Sequence, residues 1–230
     1  MLKAVIFDFD GVLGETEHIQ KKKWDIVLKP YGIEISEQEY GREYAGKSST
    51  SEIPGLLVEK YPQIACSAEE LAKAALAELK RLFPISEIKV MPKTIEMLQF
   101  VRSQSLKMTV CSGRTLVELA MKLDKTGLSD WFPLEYRVTQ ADANNIGKPD
   151  PGMCLSALTK LGVSADEAIV FEDTASGVLA AQRAGIKVVA LPSYYSREHN
   201  FEQADLIIWQ GWPEVVKKWD TIKGLVENEN

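Results

Sequence analysis

Hydrophobic positions along this chain follow two different rhythms, and the change between them divides the sequence. From about residue 90 onward, short continuous apolar runs alternate with amphipathic stretches. The runs cover residues 106–111, 168–171, 186–191 and 206–209, with a weaker one at 136–138. Brief apolar runs bounded by turn residues read as buried strands. Their alternation with helical stretches predicts βαβ units and a Rossmann-like parallel sheet. Two helices have legible ends. Asp150 and Pro151 supply an N-cap and a first-turn proline for one that stops at Gly162. Another follows Asp173, runs to Ala184 and stops at Gly185.

Residues 16–86 show no convincing strand and several helical patterns. The clearest spans 68–83, with Ser67 and Glu70 as a capping box and Pro84 behind it. Leu71, Ala75, Leu79 and Leu82 form its apolar face. A second helix is expected over 19–30, with Ile19, Trp24 and Val27 or Leu28 turned inward and Lys21, Lys22 and Lys23 as a solvated face. The organisation expected is an α/β catalytic core, 1–14 and 88–230, interrupted by an all-helical cap domain, 15–87. No internal repeat accompanies it.

The first apolar run, residues 4–7, belongs to the same sheet, because so short a strand cannot stand alone. It ends in Asp8, Phe9, Asp10 and Gly11. Side chains two apart on an extended segment point the same way. The two carboxylates therefore crowd one volume at the carboxyl end of a strand, where open α/β sheets bind ligands. Like charges so close call for a cation or a shared proton. A metal site, an acid/base pair and an ordinary Asp-Gly turn all fit this segment alone. A calcium loop of the EF-hand kind fits less well. Glu17 stands at its closing position, but Val12 occupies a ligand position and a strand, not a helix, precedes it.

Composition narrows the classes. The 230 residues are 45% hydrophobic and 26% charged, ordinary for a globular protein. A net charge of -6 gives no basic footprint for nucleic acid and disfavours anionic membranes. No apolar run approaches membrane-spanning length, and the N-terminus does not resemble a signal peptide. Cys66, Cys111 and Cys154 are widely spaced and suggest neither a disulfide framework nor a zinc site. Cys111, inside an apolar run, is expected as a small buried residue. His18 and His199 have no metal-binding spacing. A cytoplasmic, reduced enzyme without nucleic-acid or membrane partners is the expectation.

Three further polar groups fall at carboxyl ends of predicted core strands: Ser112-Gly113-Arg114, Gly147-Lys148-Pro149, and Glu172-Asp173. Each is commonplace by itself. Together they place hydroxyl, ammonium and carboxylates on one sheet edge with complementary chemistry. Two or three carboxylates, Asp8 and Asp173 with or without Glu172, can hold Mg²⁺, a hard ion that prefers oxygen. A metal and Lys148 would keep Asp8 ionised as a nucleophile toward phosphorus, giving an aspartyl phosphate. Ser112 and turn N–H groups would complete a phosphate cradle. Asp10 could act as general acid and then as the base for water.

The order Asp-x-Asp-Gly, Ser-Gly, Gly-Lys-Pro and Glu-Asp resembles the haloacid dehalogenase superfamily along the whole chain. The resemblance is to its helical-cap branch, similar to β-phosphoglucomutase and phosphoglycolate phosphatase. It implies Asp8 as nucleophile, Asp10 as acid/base and Lys148 as phosphoryl ligand. It implies a metal set of Asp8, Asp10 (through its carbonyl), Glu172 and Asp173. The substrate-binding set is Phe9, Ser112, Gly113 and Arg114, with Gly46 and Lys47 in a cap loop similar to the family's specificity loop. The dehalogenase branch is excluded, because it lacks the second aspartate of the first motif. Receiver domains share the Asp/Lys/Mg²⁺ logic but are about half this length.

Two departures stand out: Glu15 where family members carry aspartate, and Gly14 where they commonly have a larger residue at the cap hinge. Sugar-phosphate mutases of this branch carry an arginine and a histidine where this chain has Ser49 and Gln20. The expectation is therefore a monomeric Mg²⁺-dependent phosphatase of a small phosphorylated metabolite, a sugar or short-acid phosphate. A β-phosphoglucomutase-like mutase and a catalytically idle binding protein are the alternatives.

Overall fold

Ala4–Asp8 forms β1, and every residue in it is buried. In the computed structural model, which describes residues 1–48, 51–84 and 86–227, this strand lies inside a six-stranded parallel sheet. With β4 (Lys107–Cys111), β5 (Arg137–Val138), β6 (Ala168–Glu172), β7 (Lys187–Ala190) and β8 (Leu206–Ile207), the order is β5-β4-β1-β6-β7-β8. The alternating pattern thus yields the Rossmann-like α/β fold it predicts. Leaving β1, the chain builds β4 and β5 to one side, then crosses to build β6, β7 and β8 on the other. The connections diverge between β1 and β6, which is where such sheets form a ligand crevice.

Alternation along β1 divides its side chains between two layers. Ala4 and Ile6 join Val170, Val188 and residues of α7 (Gly152–Leu161) and α8 (Ala175–Arg183), including Met153, Ala157, Val178 and Ala181. On the other face Phe7 stacks on Phe171 at 5.7 Å and meets Trp212 of α9 (Trp212–Lys217) edge-on at 5.9 Å. Each such ring pair adds about 0.5–1.5 kcal/mol beyond burial. α5 (Thr94–Ser103), α6 (Leu116–Thr126) and α10 (Trp219–Glu227) complete the helices of this part of the chain.

A second sheet has only two strands. β2 (Gly14–Glu15) and β3 (Lys89–Val90) run antiparallel, pairing Gly14 with Val90 and Glu15 with Lys89. The Met91 N–H donates to the Leu13 carbonyl at 2.9 Å, the Trp212 indole to the Thr94 hydroxyl at 3.1 Å. The sequence pattern does not announce this ladder, because two residues per strand carry no periodicity.

The chain divides into two compact units. One comprises Met1–Glu15, Ile88–Ser193 and His199–Asn230; the other comprises Thr16–Glu87 with Tyr194–Glu198. The second is helical: α1 (Glu17–Leu28), α2 (Glu37–Glu43), α3 (Ile53–Lys60) and α4 (Ala68–Leu82). Trp24, Leu28, Tyr40, Tyr44, Leu57, Leu71 and Ala75 are among its core residues. The Ser67–Glu70 capping box of α4 is present in both directions. Tyr195 meets the Tyr40 ring edge-on at 5.7 Å, so the late segment Tyr194–Glu198 returns to this unit.

The lysine run of α1 departs from expectation. Lys22 is exposed, but Lys21 and Lys23 are buried. Lys21 pairs with Asp25 at 2.5 Å, and Lys23 donates to the Gln20 amide oxygen at 2.8 Å and lies 4.7 Å from the Trp24 ring. At α7 the structure begins one residue later than expected. Pro151 precedes the first helical residue, and Asp150 caps from one position further out, accepting from the Gly152 N–H at 2.8 Å. Among the described residues no helix is long and apolar enough to cross a membrane. Cys66, Cys111 and Cys154 are free, and Cys111 is buried.

Candidate active site

Strand register brings the predicted polar groups together. β1 pairs Asp8 with Cys111 of β4, so Ser112 follows just beyond Asp8. β1 also pairs Phe7 with Phe171 of β6, which sets Glu172 beside Asp8 and Asp173 one residue further. Asp8, Ser112, Glu172 and Asp173 are all buried.

After Asp8 the backbone folds into a tight loop. The Leu13 and Gly14 N–H groups both donate to the Phe9 carbonyl, at 3.0 and 2.9 Å, and Gly11 N–H donates to the Gly14 carbonyl at 2.9 Å. Gly11 takes φ +79°, a conformation glycine adopts without steric cost. A Cβ there would fall 2.0 Å from an Asp173 carboxylate oxygen, so the Asp173 carboxylate occupies the space a side chain would fill. Gly14 is a second close approach. Its missing Cβ would lie 2.6 Å from the Phe9 ring, which is fully buried.

Lys148, whose peptide bond to Pro149 is cis, donates to both the Asp8 and the Glu172 carboxylates. The other Glu172 oxygen accepts the Thr174 N–H at 2.8 Å and the Thr174 hydroxyl at 2.9 Å. Glu172 is therefore held from two sides and in turn holds Lys148 against Asp8. Burial, opposed by Lys148 and reinforced by the charges of Glu172 and Asp10, drives the Asp8 carboxyl up to about 7. Burial acting alone would lower the Lys148 ammonium, but Asp8 and Glu172 outweigh it and hold the pKa well above the usual value.

Asp10 has a different lysine. Lys122 of α6 reaches its two oxygens at 2.5 and 2.6 Å, and the Ser112 hydroxyl stands 3.4 Å from one of them. The crowded pair expected from the sequence is thus split, with each carboxylate given its own ammonium. Sequence reasoning overlooked Lys122. The signal was available: Leu119, Lys122, Leu123 and Thr126 share the buried stripe of α6, and a lysine at an apolar position is out of pattern. Burial pulls its pKa below the usual lysine value despite the Asp10 charge, with Arg114 acting in the same direction as burial.

The remaining predicted residues separate by place. Gly113 is exposed and Arg114 half-buried at the start of α6, following Ser112. Gly46 and Lys47 belong to the helical unit. Gly46 has φ +74°, and Lys47 is exposed and donates to the Glu43 carbonyl at the end of α2 at 2.5 Å. Ser49 lies outside the described residues.

The donor chemistry suits a hard divalent cation. Asp8 and Glu172 pair with Lys148 and Asp10 with Lys122, and Asp173 adds a fourth carboxylate; burial first, then the charges of Glu172 and Asp10, raise Asp8. Among the described residues, no group of three or more histidine, cysteine, aspartate or glutamate side chains is arranged to hold a metal ion. Magnesium asks for less: one or two carboxylates, completed by water and substrate oxygens.

A strand-end carboxylate gripped by a lysine, with a second carboxylate two residues on, thus stands at the divergence of the parallel sheet. The sequence profile of the haloacid dehalogenase-like hydrolases matches residues 5–191, and the chain belongs to that family. It is an enzyme, a phosphoric monoester hydrolase. A phosphorylated carbohydrates phosphatase of Thermotoga maritima is 31% identical over 227 residues, 98% of this chain and 99% of that protein. A haloacid dehalogenase-like protein of Agrobacterium tumefaciens superposes with TM-score 0.80 at 26% identity, covering 96% of this chain and 100% of the other. A putative β-phosphoglucomutase of Thermotoga maritima gives TM-score 0.71 at 28% identity, over 96% and 100%. Phosphatases of this family generally use a divalent metal.

Proposed function

We propose that this enzyme hydrolyses the phosphate ester of a small metabolite, a sugar or short-acid phosphate, through a phosphoryl group carried on Asp8. The observation that carries the reading is the Asp8–Lys148–Glu172 arrangement: a buried carboxylate at a strand end, held by an ammonium that a second carboxylate fixes in place. The relative that acts on phosphorylated carbohydrates supports the substrate class. Free cysteines agree with a cytoplasmic setting.

In the first step an Asp8 oxygen attacks phosphorus and the bond to the ester oxygen breaks. Asp10 gives its proton to that departing oxygen. In the second step water attacks the phosphorus on Asp8, passes a proton to Asp10, and the Asp8–phosphorus bond breaks to release inorganic phosphate. Lys148, Ser112 and the Gly113 N–H neutralise and hold the phosphoryl oxygens throughout. Mg²⁺, bound by Asp8, Asp173 and the Asp10 carbonyl, would supply further charge neutralisation. Glu172 serves by keeping Lys148 in position, its two oxygens being engaged by Lys148 and Thr174. The Phe9 ring is buried, leaving its main chain to meet substrate. Arg114 grips a distal anionic group.

Asp8→Asn should abolish phosphate release from 4-nitrophenyl phosphate in Mg²⁺, and retention of even about a tenth of the wild-type rate would sink the nucleophile assignment. A mutase would convert β-glucose 1-phosphate, primed with a bisphosphate, into glucose 6-phosphate. Gln20, engaged by Lys23 at 2.8 Å, replaces the histidine such a mutase carries, and only free phosphate is expected.

A further inference from the structure

We propose that Lys122 is the positioning residue of Asp10, its buried ammonium fixing the carboxylate that handles the leaving-group proton. The inference rests on the acid/base reading of Asp10 and adds a residue that the catalytic motifs do not contain. Asp8 is anchored by its strand, with neighbours on both sides. Asp10 lies past the strand end, in the loop, and its side chain keeps 23% exposure. A carboxylate so placed can rotate away from the reacting oxygen unless something holds it. Proton transfer needs hydrogen-bond reach, and a misplacement of about 1 Å can cost about a hundredfold.

Lys122 provides the hold. Its side chain is 1% exposed, on the same stripe of α6 as Leu119 and Leu123. A buried ammonium requires a counter-charge, and Lys122 spans both Asp10 oxygens, at 2.5 and 2.6 Å. A two-point contact fixes the plane of a carboxylate as well as its distance. The rest of the setting is built to suit. The Phe9 ring lies 5.2 Å from the ammonium, and that ring has its place because Gly14 lacks a Cβ, which would fall 2.6 Å from it. The Thr126 hydroxyl donates to the Lys122 carbonyl at 2.7 Å, pinning the turn of α6 that carries the lysine. Gly14, Phe9, Lys122 and Asp10 form one train of contacts, in which the glycine departure noted in the sequence and the out-of-pattern lysine serve the same carboxylate.

The test is a double-mutant cycle on the enzyme with Mg²⁺ and glucose 6-phosphate, an alkyl ester whose departing oxygen needs a proton, read as released inorganic phosphate. Lys122→Met matches the length of the side chain and the character of the stripe. It is expected to lower kcat about tenfold or more while KM stays within about twofold. In an Asp10→Asn background the same change should alter kcat by less than about twofold, because the group it positions is already gone. Lys122→Arg, which keeps the charge, should recover part of the kcat that Met loses. An equal fold-loss in both backgrounds means Lys122 acts only through the fold, and overturns the proposal. So does wild-type kcat in a folded Lys122→Met enzyme. Should Lys122→Met fail to fold, Lys122→Gln takes its place under the same criterion. Wild-type turnover in Asp10→Asn alone removes the acid/base reading beneath the proposal. An impaired Asp10→Asn enzyme beside an unimpaired Lys122→Met enzyme removes the Lys122 role alone.

Discussion

Gly11→Ala is the change that most directly tests how the site is packed. Two costs add. The φ of +79° is one that a Cβ disfavours by about 1–2 kcal/mol. The new methyl would lie 2.0 Å from the Asp173 oxygen and 2.4 Å from its carboxyl carbon. Real contacts need at least about 3 Å, so Asp173 must retreat by roughly an ångström or more. Displacing a buried carboxylate from its polar surroundings costs about 1.5–3 kcal/mol. The total, about 2.5–5 kcal/mol, lowers Tm by roughly 5–10 °C at the smaller figure for a chain of this size. Because Asp173 is the carboxylate that moves, the Mg²⁺ concentration for half-maximal phosphatase activity should rise together with the fall in Tm. Thermal melts and Mg²⁺ titrations of the purified variant read both effects. Asp173→Gly in the Gly11→Ala background should recover part of the Tm without recovering activity. Wild-type Tm and Mg²⁺ dependence in Gly11→Ala would refute the claim that Asp173 fills the missing side chain's space.

The titration of Asp8 predicts a pH dependence of stability in the metal-free protein. Burial raises this carboxyl from 3.8 to about 7, so the folded state binds its proton more tightly than the unfolded chain does. The resulting stabilisation is complete below pH 4 and is lost as pH rises through about 7. In a chelating buffer, the Tm of Asp8→Asn relative to wild type should therefore climb between about pH 4 and 7 and level off above, and a flat difference would contradict the assignment. Ser67→Ala, which removes the hydroxyl that accepts the Glu70 N–H at 3.2 Å and donates to the Glu70 carboxylate at 3.0 Å, should cost about 1 kcal/mol and leave kcat/KM unchanged. Denaturant melts and steady-state kinetics on the same preparation separate the two.

Much of the core was legible because its signals are local and repeated. β1, β4, β6 and β7 are short apolar runs between turn residues, and the α4 capping box is written in the sequence three residues apart. The gathering of Asp8, Ser112, Lys148, Glu172 and Asp173 followed from one rule, that parallel strands present their carboxyl ends on one edge. What escaped has no local signature. Three consecutive lysines on α1 were assigned a single face, yet neighbours on a helix point about 100° apart. The three therefore span about 200°, and the structure buries the outer two, Lys21 and Lys23. Pairing at i and i+4 or i+3, Lys21 to Asp25 and Lys23 to Gln20, is the spacing that helices offer. Lys122 was missed because its partner lies over a hundred residues away in sequence. The return of Tyr194–Glu198 to the helical unit rests on packing against Tyr40, which no pattern along the chain reveals.

The small β2–β3 ladder has a bearing on how this chain can change. The helical segment departs after Glu15 and rejoins at Ile88, and the pairs Gly14–Val90 and Glu15–Lys89 clasp departure to return. To the parallel sheet, everything between is a hairpin loop whose ends are already closed. Closure entropy grows only with the logarithm of loop length, about 0.6 kcal/mol for each doubling. Lengthening, trimming or exchanging the helices therefore asks almost nothing of the strands that end at Asp8 and Glu172. A graft at this clasp could transplant a foreign helical module onto the same chemistry, provided that Tyr194–Glu198 is exchanged along with it.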